Sequence, residues 1–135
     1  MNTTDTTGDA VRRYLEIMNK LDVEALNDLF ADDVVVRLPY APDPVPKRTE
    51  GRENAVALYS GFPQLITPPG FHDEVIWALE EPGEFVAEYR SDCTMLSTGK
   101  PYRNDYIARF SVRDGRLTQV AEWFDPIVFL QAQEP

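Results

Sequence analysis

The sequence predicts one α+β domain, with three helices mainly in its first half packed on one face of an antiparallel sheet made of its second half. Two observations carry this. Apolar residues recur every three or four positions in the first sixty or so residues, and alternate with polar ones after Gly70. Helices followed by a run of strands form segregated layers instead of βαβ units.

The elements follow in order. Residues 1–7 are polar and Thr-rich, the composition of a frayed end. Val11, Tyr14, Leu15, Met18 and Leu21 have the spacing of an amphipathic helix. Asp22 is positioned to cap a second, short helix with Leu26, Leu29 and Phe30 on one side. Ala31-Asp32-Asp33 then reads as a turn into the β-branched strand 34–38, which Pro39 stops. Four prolines in residues 39–50 predict an irregular loop. Gly51 precedes a third helix, RENAVALYSGF, ended by Pro63 and Pro68-Pro69-Gly70.

Strands are expected over 71–80, 84–96, 102–113 and 116–125. Asp114-Gly115 between two alternating runs is a hairpin signal, because both residue types tolerate positive φ. The strand 102–113 separates most cleanly. Tyr102, Asn104, Tyr106, Ala108, Phe110 and Val112 form one face, and three arginines lie on the other. A one-residue slip would bury those arginines, so the register is determined. Asn104 is then a polar group on an aromatic inner surface. In the last strand Thr118, Val120, Glu122 and Phe124 oppose Leu117, Gln119, Ala121, Trp123 and Asp125. Both sets are partly apolar, and the alternation leaves the inward one open.

Composition narrows the partners. The 135 residues carry a formal charge of −10, which disfavours nucleic acid, bound through Lys and Arg on phosphates, and anionic membranes alike. Fifteen aromatic residues (two Trp, six Tyr, seven Phe) are enough for a core and a ligand pocket. The opening MNTTDTTGDAVRRY lacks the basic and then apolar regions of a signal peptide, so the expected compartment is the cytoplasm. His72 is the single histidine and has no Cys or carboxylate cluster at ligand spacing, so no metal is expected. Cys93, with no second cysteine to pair with, reads as a small buried hydrophobe. Trp77 and Tyr89, on strands with Val75, Leu79 and Ala87, are expected to build the hydrophobic wall, with loops 39–50 and 63–70 at its mouth.

RRYLEIMNKLDVEALNDLFADDVVV, GRENAVALY and YRNDYIARFSVRDGRLTQVAEWFDP together resemble the nuclear transport factor two-like, or SnoaL-like, superfamily over nearly the whole chain. The resemblance implies a single domain over 1–135 whose curved sheet forms a cone around a pocket. The first stretch is similar to ketosteroid isomerases, and Tyr14 and Tyr59 fall on the tyrosines of their oxyanion-binding network. This sequence departs from them at Leu38, where they carry the base, and at Tyr106, where they carry a protonated Asp. The C-terminal half looks more like SnoaL-type cyclases and phenazine-biosynthesis A/B proteins. In the latter a glutamate near the end of the last strand is the acid/base; the matching residue here is Glu122, beside Asn104.

The expected catalytic group is Glu122 and Tyr14, implied by the resemblance, with Asn104, whose amide both donates and accepts and so can orient Glu122 or a ligand carbonyl. Tyr59, Tyr106, Phe110 and Phe124 are implied as ligand contacts, joined by Leu38 and Phe62 and by the wall residues Trp77 and Tyr89. An acid/base enzyme needing no cofactor is expected, an isomerase, cyclase, dehydratase or condensing enzyme acting on a small apolar carbonyl or polycyclic metabolite. Two other functions remain open: a small-molecule binding protein without chemistry, and an interaction module. Trp123 and Ile107, on the convex face, lead to the expectation of a homodimer through that face.

Overall fold

The computed structural model describes residues 7–135, so most of the expected frayed segment 1–7 lies outside the described residues. Helix α1, Asp9–Lys20, buries Val11, Tyr14, Leu15 and Met18 as the spacing predicts. The second helical segment is a 3₁₀ turn, Val23–Ala25, running into α2, Leu26–Leu29. Asp22 stands at the start of that turn but makes no side-chain cap. Phe30 does not finish the helix; it opens strand β1, Phe30–Arg37. Asp32 and Asp33 therefore lie within the strand, at an irregularity, and are exposed and paired with Arg52 (2.7 Å) and Arg113 (2.9 Å).

Strand β2, Arg48–Glu50, ends the proline-rich loop and pairs with β1. The third helix is broken: α3 is Arg52–Tyr59 and α4 is Phe62–Leu65, with Ser60-Gly61 between them. The meander comprises β3 His72–Ala78, β4 Glu84–Arg90, β7 Asp105–Arg113 and β8 Arg116–Phe124. The expected strand 84–96 stops at Arg90, and a separate small ribbon of β5 Cys93–Thr94 and β6 Pro101–Tyr102 follows. Asp114 and Gly115 take φ of 54° and 75°, the positive pair that the tight hairpin requires. Gly83 turns β3 into β4 at φ 82°, and a Cβ there would meet the Val112 carbonyl oxygen at 2.7 Å.

The main sheet runs β2-β1-β8-β7-β4-β3, and β1 lies parallel to β8. The sheet is thus mixed, not purely antiparallel: the chain leaves β1 through α3 and α4 and returns on the far side of the meander. The sequence pattern predicts no element after residue 125. The structure has α5 there, Pro126–Gln133, capped by Asp125 Oδ1 accepting from the Ile127 amide (2.9 Å) with Pro126 in the first turn. Among the described residues, no helix is long and apolar enough to cross a membrane.

The concave face carries the core. Its cross-strand rows are Phe85–Phe110–Val120, Ala87–Ala108–Glu122 and Tyr89–Tyr106–Phe124. The first row is sealed under α1, where Tyr14 meets Phe110 edge-on at 5.3 Å. The middle row carries two fully buried alanines and Glu122, at whose side the interior leaves space.

Candidate active site

That space is an apolar cavity of about 70 Å³. Glu122 and Phe124 line it from β8, Tyr102 and Tyr106 from β6 and β7, and Tyr14 and Met18 from α1. Leu38 and Val45 come from the proline-rich arch, and Phe62, Leu65 and Ile66 from α4 and the turn after it. Pro69 and Phe71 close another side, and Phe129 of α5 caps the cone. The loops 39–50 and 63–70 thus border the cavity as expected. An engineered apolar cavity of about 150 Å³ holds benzene, so a ring-sized ligand must displace side chains here.

Glu122 is the only carboxylate on this lining, and no lysine, arginine or histidine joins it. Removal from water favours its neutral form and pushes its pKa up to about 7, against a smaller opposing effect of the Tyr89 hydrogen bond. Glu122 is partly accessible and lines the cavity. Tyr89 starts two strands away on β4 and donates its hydroxyl to Glu122 Oε2. Its ring stacks on Tyr106 at 5.4 Å, an interplanar angle of 12°, and the methyl-sized Ala108 lets the hydroxyl pass. Burial, and then the nearby Glu122 charge, raise the Tyr89 pKa well above the ordinary phenol value, so Tyr89 remains a donor.

A second hydroxyl pair faces this acid. Tyr14 and Tyr59 oxygens are 2.8 Å apart, and burial raises both pKa values. Tyr14 reaches the cavity surface; Tyr59 stands behind it, between Phe30 and Phe62. Phe71 is held by both ends of one amide: Asn19 Nδ2 donates to its carbonyl (3.1 Å), and its N–H donates to Asn19 Oδ1 (2.6 Å).

The structure brings Glu122, Tyr14, Tyr106, Phe124, Leu38 and Phe62 together at the cavity. It moves others away. Asn104 does not touch Glu122: its Nδ2 donates to Tyr102 Oη (2.9 Å) and the Asp125 carbonyl (3.0 Å), and its Oδ1 accepts from the Asp105 and Asp125 amides. With every hydrogen-bonding position used, it fastens β6, β7 and α5 together. Trp77 is 45% exposed on the outer face, as is Val75, because β3 slips register between His72 and Val75 and turns Ile76 inward instead. Phe110 is core under Tyr14, not cavity lining. Tyr59 and Tyr89 act from one layer back.

Tyr102, Met18, Phe71 and Phe129 were absent from the expected site. For Phe129 the signal was readable in Asp125-Pro126 followed by IVFLQAQ, a cap and first turn before an apolar run. His72 is exposed, and Cys93 is buried with its thiol pushed up to about 11 by desolvation. Among the described residues, no three His, Cys, Asp or Glu side chains form a metal-binding group.

Fold and site define a class: a cone of curved sheet and helices around an apolar cavity with one acid in its wall. The chain belongs to the SnoaL-like family, whose domain profile matches residues 11–120. It is 27% identical over 132 residues to the uncharacterised protein YesE of Bacillus subtilis, covering 98% of this chain and 90% of that one. It is 29% identical over 118 residues to the uncharacterised PhzA/B-like protein PA3332 of Pseudomonas aeruginosa, covering 87% and 83%. Among solved structures, a Bacillus subtilis protein provisionally assigned as an isomerase superposes with a TM-score of 0.89 at 27% identity, covering 98% and 95% of the chains. One from Xanthomonas campestris pv. campestris, provisionally assigned as a polyketide cyclase, gives 0.83 at 23% identity, covering 98% and 100%, a likeness of fold.

Proposed function

We propose that the protein is a cofactor-independent acid/base enzyme, of isomerase or cyclase type, acting on a small apolar carbonyl compound in the cytoplasm. The observation that carries this is Glu122: a carboxyl with a pKa near 7 in a cavity otherwise lined by apolar and phenolic side chains. At neutral pH such a group is present in both forms, so it takes a proton in one step and returns it in the next. Its carboxylate removes a proton from the carbon beside the carbonyl, and the C–H electron pair forms the enolate C=C bond. The carbonyl π pair moves to oxygen, where phenolic donors stabilise the charge in a dry site. Return of the proton from Glu122 to the same or another carbon completes exchange or isomerisation. A cavity of this volume favours a single ring or short chain over the polycyclic metabolite expected from the sequence.

The test is exchange of the acidic C–H protons of cyclohex-2-enone in D₂O, followed by NMR. Glu122→Gln should slow protein-catalysed exchange by about 100-fold or more. Equal exchange with and without the carboxylate contradicts the proposal. A binding protein without chemistry is the competing reading, supported by the apolar Leu38 in the cavity wall, and it predicts no catalysed exchange at all.

A further inference from the structure

We propose that helix α5 is the gate of the cavity, and that the ligand carries a planar ring which takes the place of the Phe129 phenyl when α5 moves on the Asp125-Pro126 junction. The buried apolar side chains form two groups, and the cavity is lined by both. The larger group joins α1, α2, α3 and the main sheet, and gives Tyr14, Met18 and Leu38 to the lining. The smaller joins α5, the β5–β6 ribbon and the turn after α4, and gives Ile66, Tyr102 and Phe129. A space of about 70 Å³ does not hold a ring, so one wall must yield.

The other walls are tied from the side. Asn19 holds Phe71 through two hydrogen bonds. The Leu38 amide donates to the Lys47 carbonyl at 2.9 Å, the Leu96 amide to the Leu65 carbonyl at 3.0 Å and the Asp92 amide to the Pro69 carbonyl at 2.9 Å. Helix α5 is tied at its ends alone. Asn104 Nδ2 donates to the Asp125 carbonyl at 3.0 Å, and Thr98 Oγ to the Ala132 carbonyl at 2.6 Å. Among the described residues, no hydrogen bond or ion pair joins residues 126–131 to the strands, the ribbon or another helix. Elements with so few ties open at a lower free energy than the core.

The movement also keeps apolar burial. Phe129 is 9% exposed, whereas its neighbours on α5, Ile127 and Leu130, are 63% and 45% exposed. A turn of α5 about its axis that withdraws the phenyl brings one of these inward, and buried apolar area sets most of the free energy. Phe129 meets Tyr102 edge-on at 5.7 Å and Phe124 at 5.8 Å. A ligand ring in the vacated place recovers those edge contacts, which a flexible chain does not. The single ring or short chain of the acid/base reading thereby narrows to the ring.

Only the ligand's being a substrate rests on that reading, so the probes carry no oxygen. Benzene should bind the unmodified protein, and hexane no more tightly. Three ring pairs report which wall yields: Tyr102–Phe129, Tyr59–Phe62 at 5.2 Å and Phe71–Tyr106 at 5.3 Å. In proton NOE spectra benzene should abolish the first contact, gain its own contacts to Tyr102 and Phe124, and leave the other two. Phe129→Ala should bind benzene about tenfold more tightly, because no closed state has to be opened. Loss of the Tyr59–Phe62 or Phe71–Tyr106 contact in place of Tyr102–Phe129 overturns the proposal without any variant having to fold. So does failure of benzene to bind, tighter binding of hexane, or a Phe129→Ala protein with unchanged affinity. Catalysed proton exchange of the enone with the Tyr102–Phe129 contact intact under benzene removes the gate and leaves Glu122; benzene in the place of Phe129 without catalysed exchange does the reverse.

Discussion

The Tyr89 hydroxyl donates to Glu122 Oε2 from two strands away, over Ala108, the residue paired with Glu122 across the sheet. The contact opposes the desolvation that raises the Glu122 pKa, because it favours the ionised carboxylate. Tyr89→Phe should therefore move the Glu122 pKa upward from about 7, and move the acid limb of any activity profile with it. A titration of the glutamate carboxyl by ¹³C NMR in the variant checks this. A pKa that stays or falls would show that the hydrogen bond does not tune the acid.

Stability should carry the same signature. Glu122 has an ordinary value of 4.5 and a folded value of about 7, so between these the folded state binds more protons than the unfolded. Stability from this group is therefore complete below pH 4.5 and is lost as pH rises through 7. Glu122→Gln removes that loss. It should raise unfolding free energy by up to about 3 kcal/mol at pH 8 relative to its effect at pH 4.5, at 1.36 kcal/mol per unit. Urea denaturation at the two pH values gives the comparison, and an effect independent of pH would contradict it.

Ala108 is required small. Ala108→Leu places three more carbons at a fully buried position between strand β4, which carries Tyr89, and Glu122. Overpacking should cost about 1 to 3 kcal/mol in chemical denaturation. The folded fraction should show Glu122 deprived of its Tyr89 partner, with its pKa raised further. Unchanged stability would mean that the interior has room for the added carbons at this position.

The convex face leaves Val75, Trp77 and Ile107 each close to half exposed, among the Arg109–Glu84 and Arg90–Asp105 ion pairs. Apolar groups bordered by both signs of charge suit a two-fold contact with a second copy. We expect a dimer at micromolar concentration by light scattering, weakened to monomer by Trp77→Glu. A monomer in the unmodified protein would contradict the expectation.

Much of this architecture was legible where one face of an element is apolar and the other charged. The strand 102–113 is the clearest case: its arginines left a single register, and Tyr106, Ala108 and Phe110 point inward as read. Where both faces are apolar, alternation has no phase. Val75 and Trp77 on edge strand β3 were read inward for that reason, and the slip after His72 turned them out. The parallel pairing of β1 with β8 was not readable, since it depends on where a long crossover returns. In the site, Glu122 came from family likeness, not from periodicity. Tyr102 was read on the inner face, but its place on the cavity wall depends on the β5–β6 ribbon, which replaces the ends of the two strands expected over 84–96 and 102–113.

The most direct measurement is the pKa of Glu122 in the unmodified protein, read from its ¹³C carboxyl shift across pH 3 to 9. The account predicts a midpoint near 7. A midpoint near 4.5, the value of a glutamate in water, would mean the carboxyl is hydrated and poorly matched to proton transfer at neutral pH, and would contradict the acid/base function built on it.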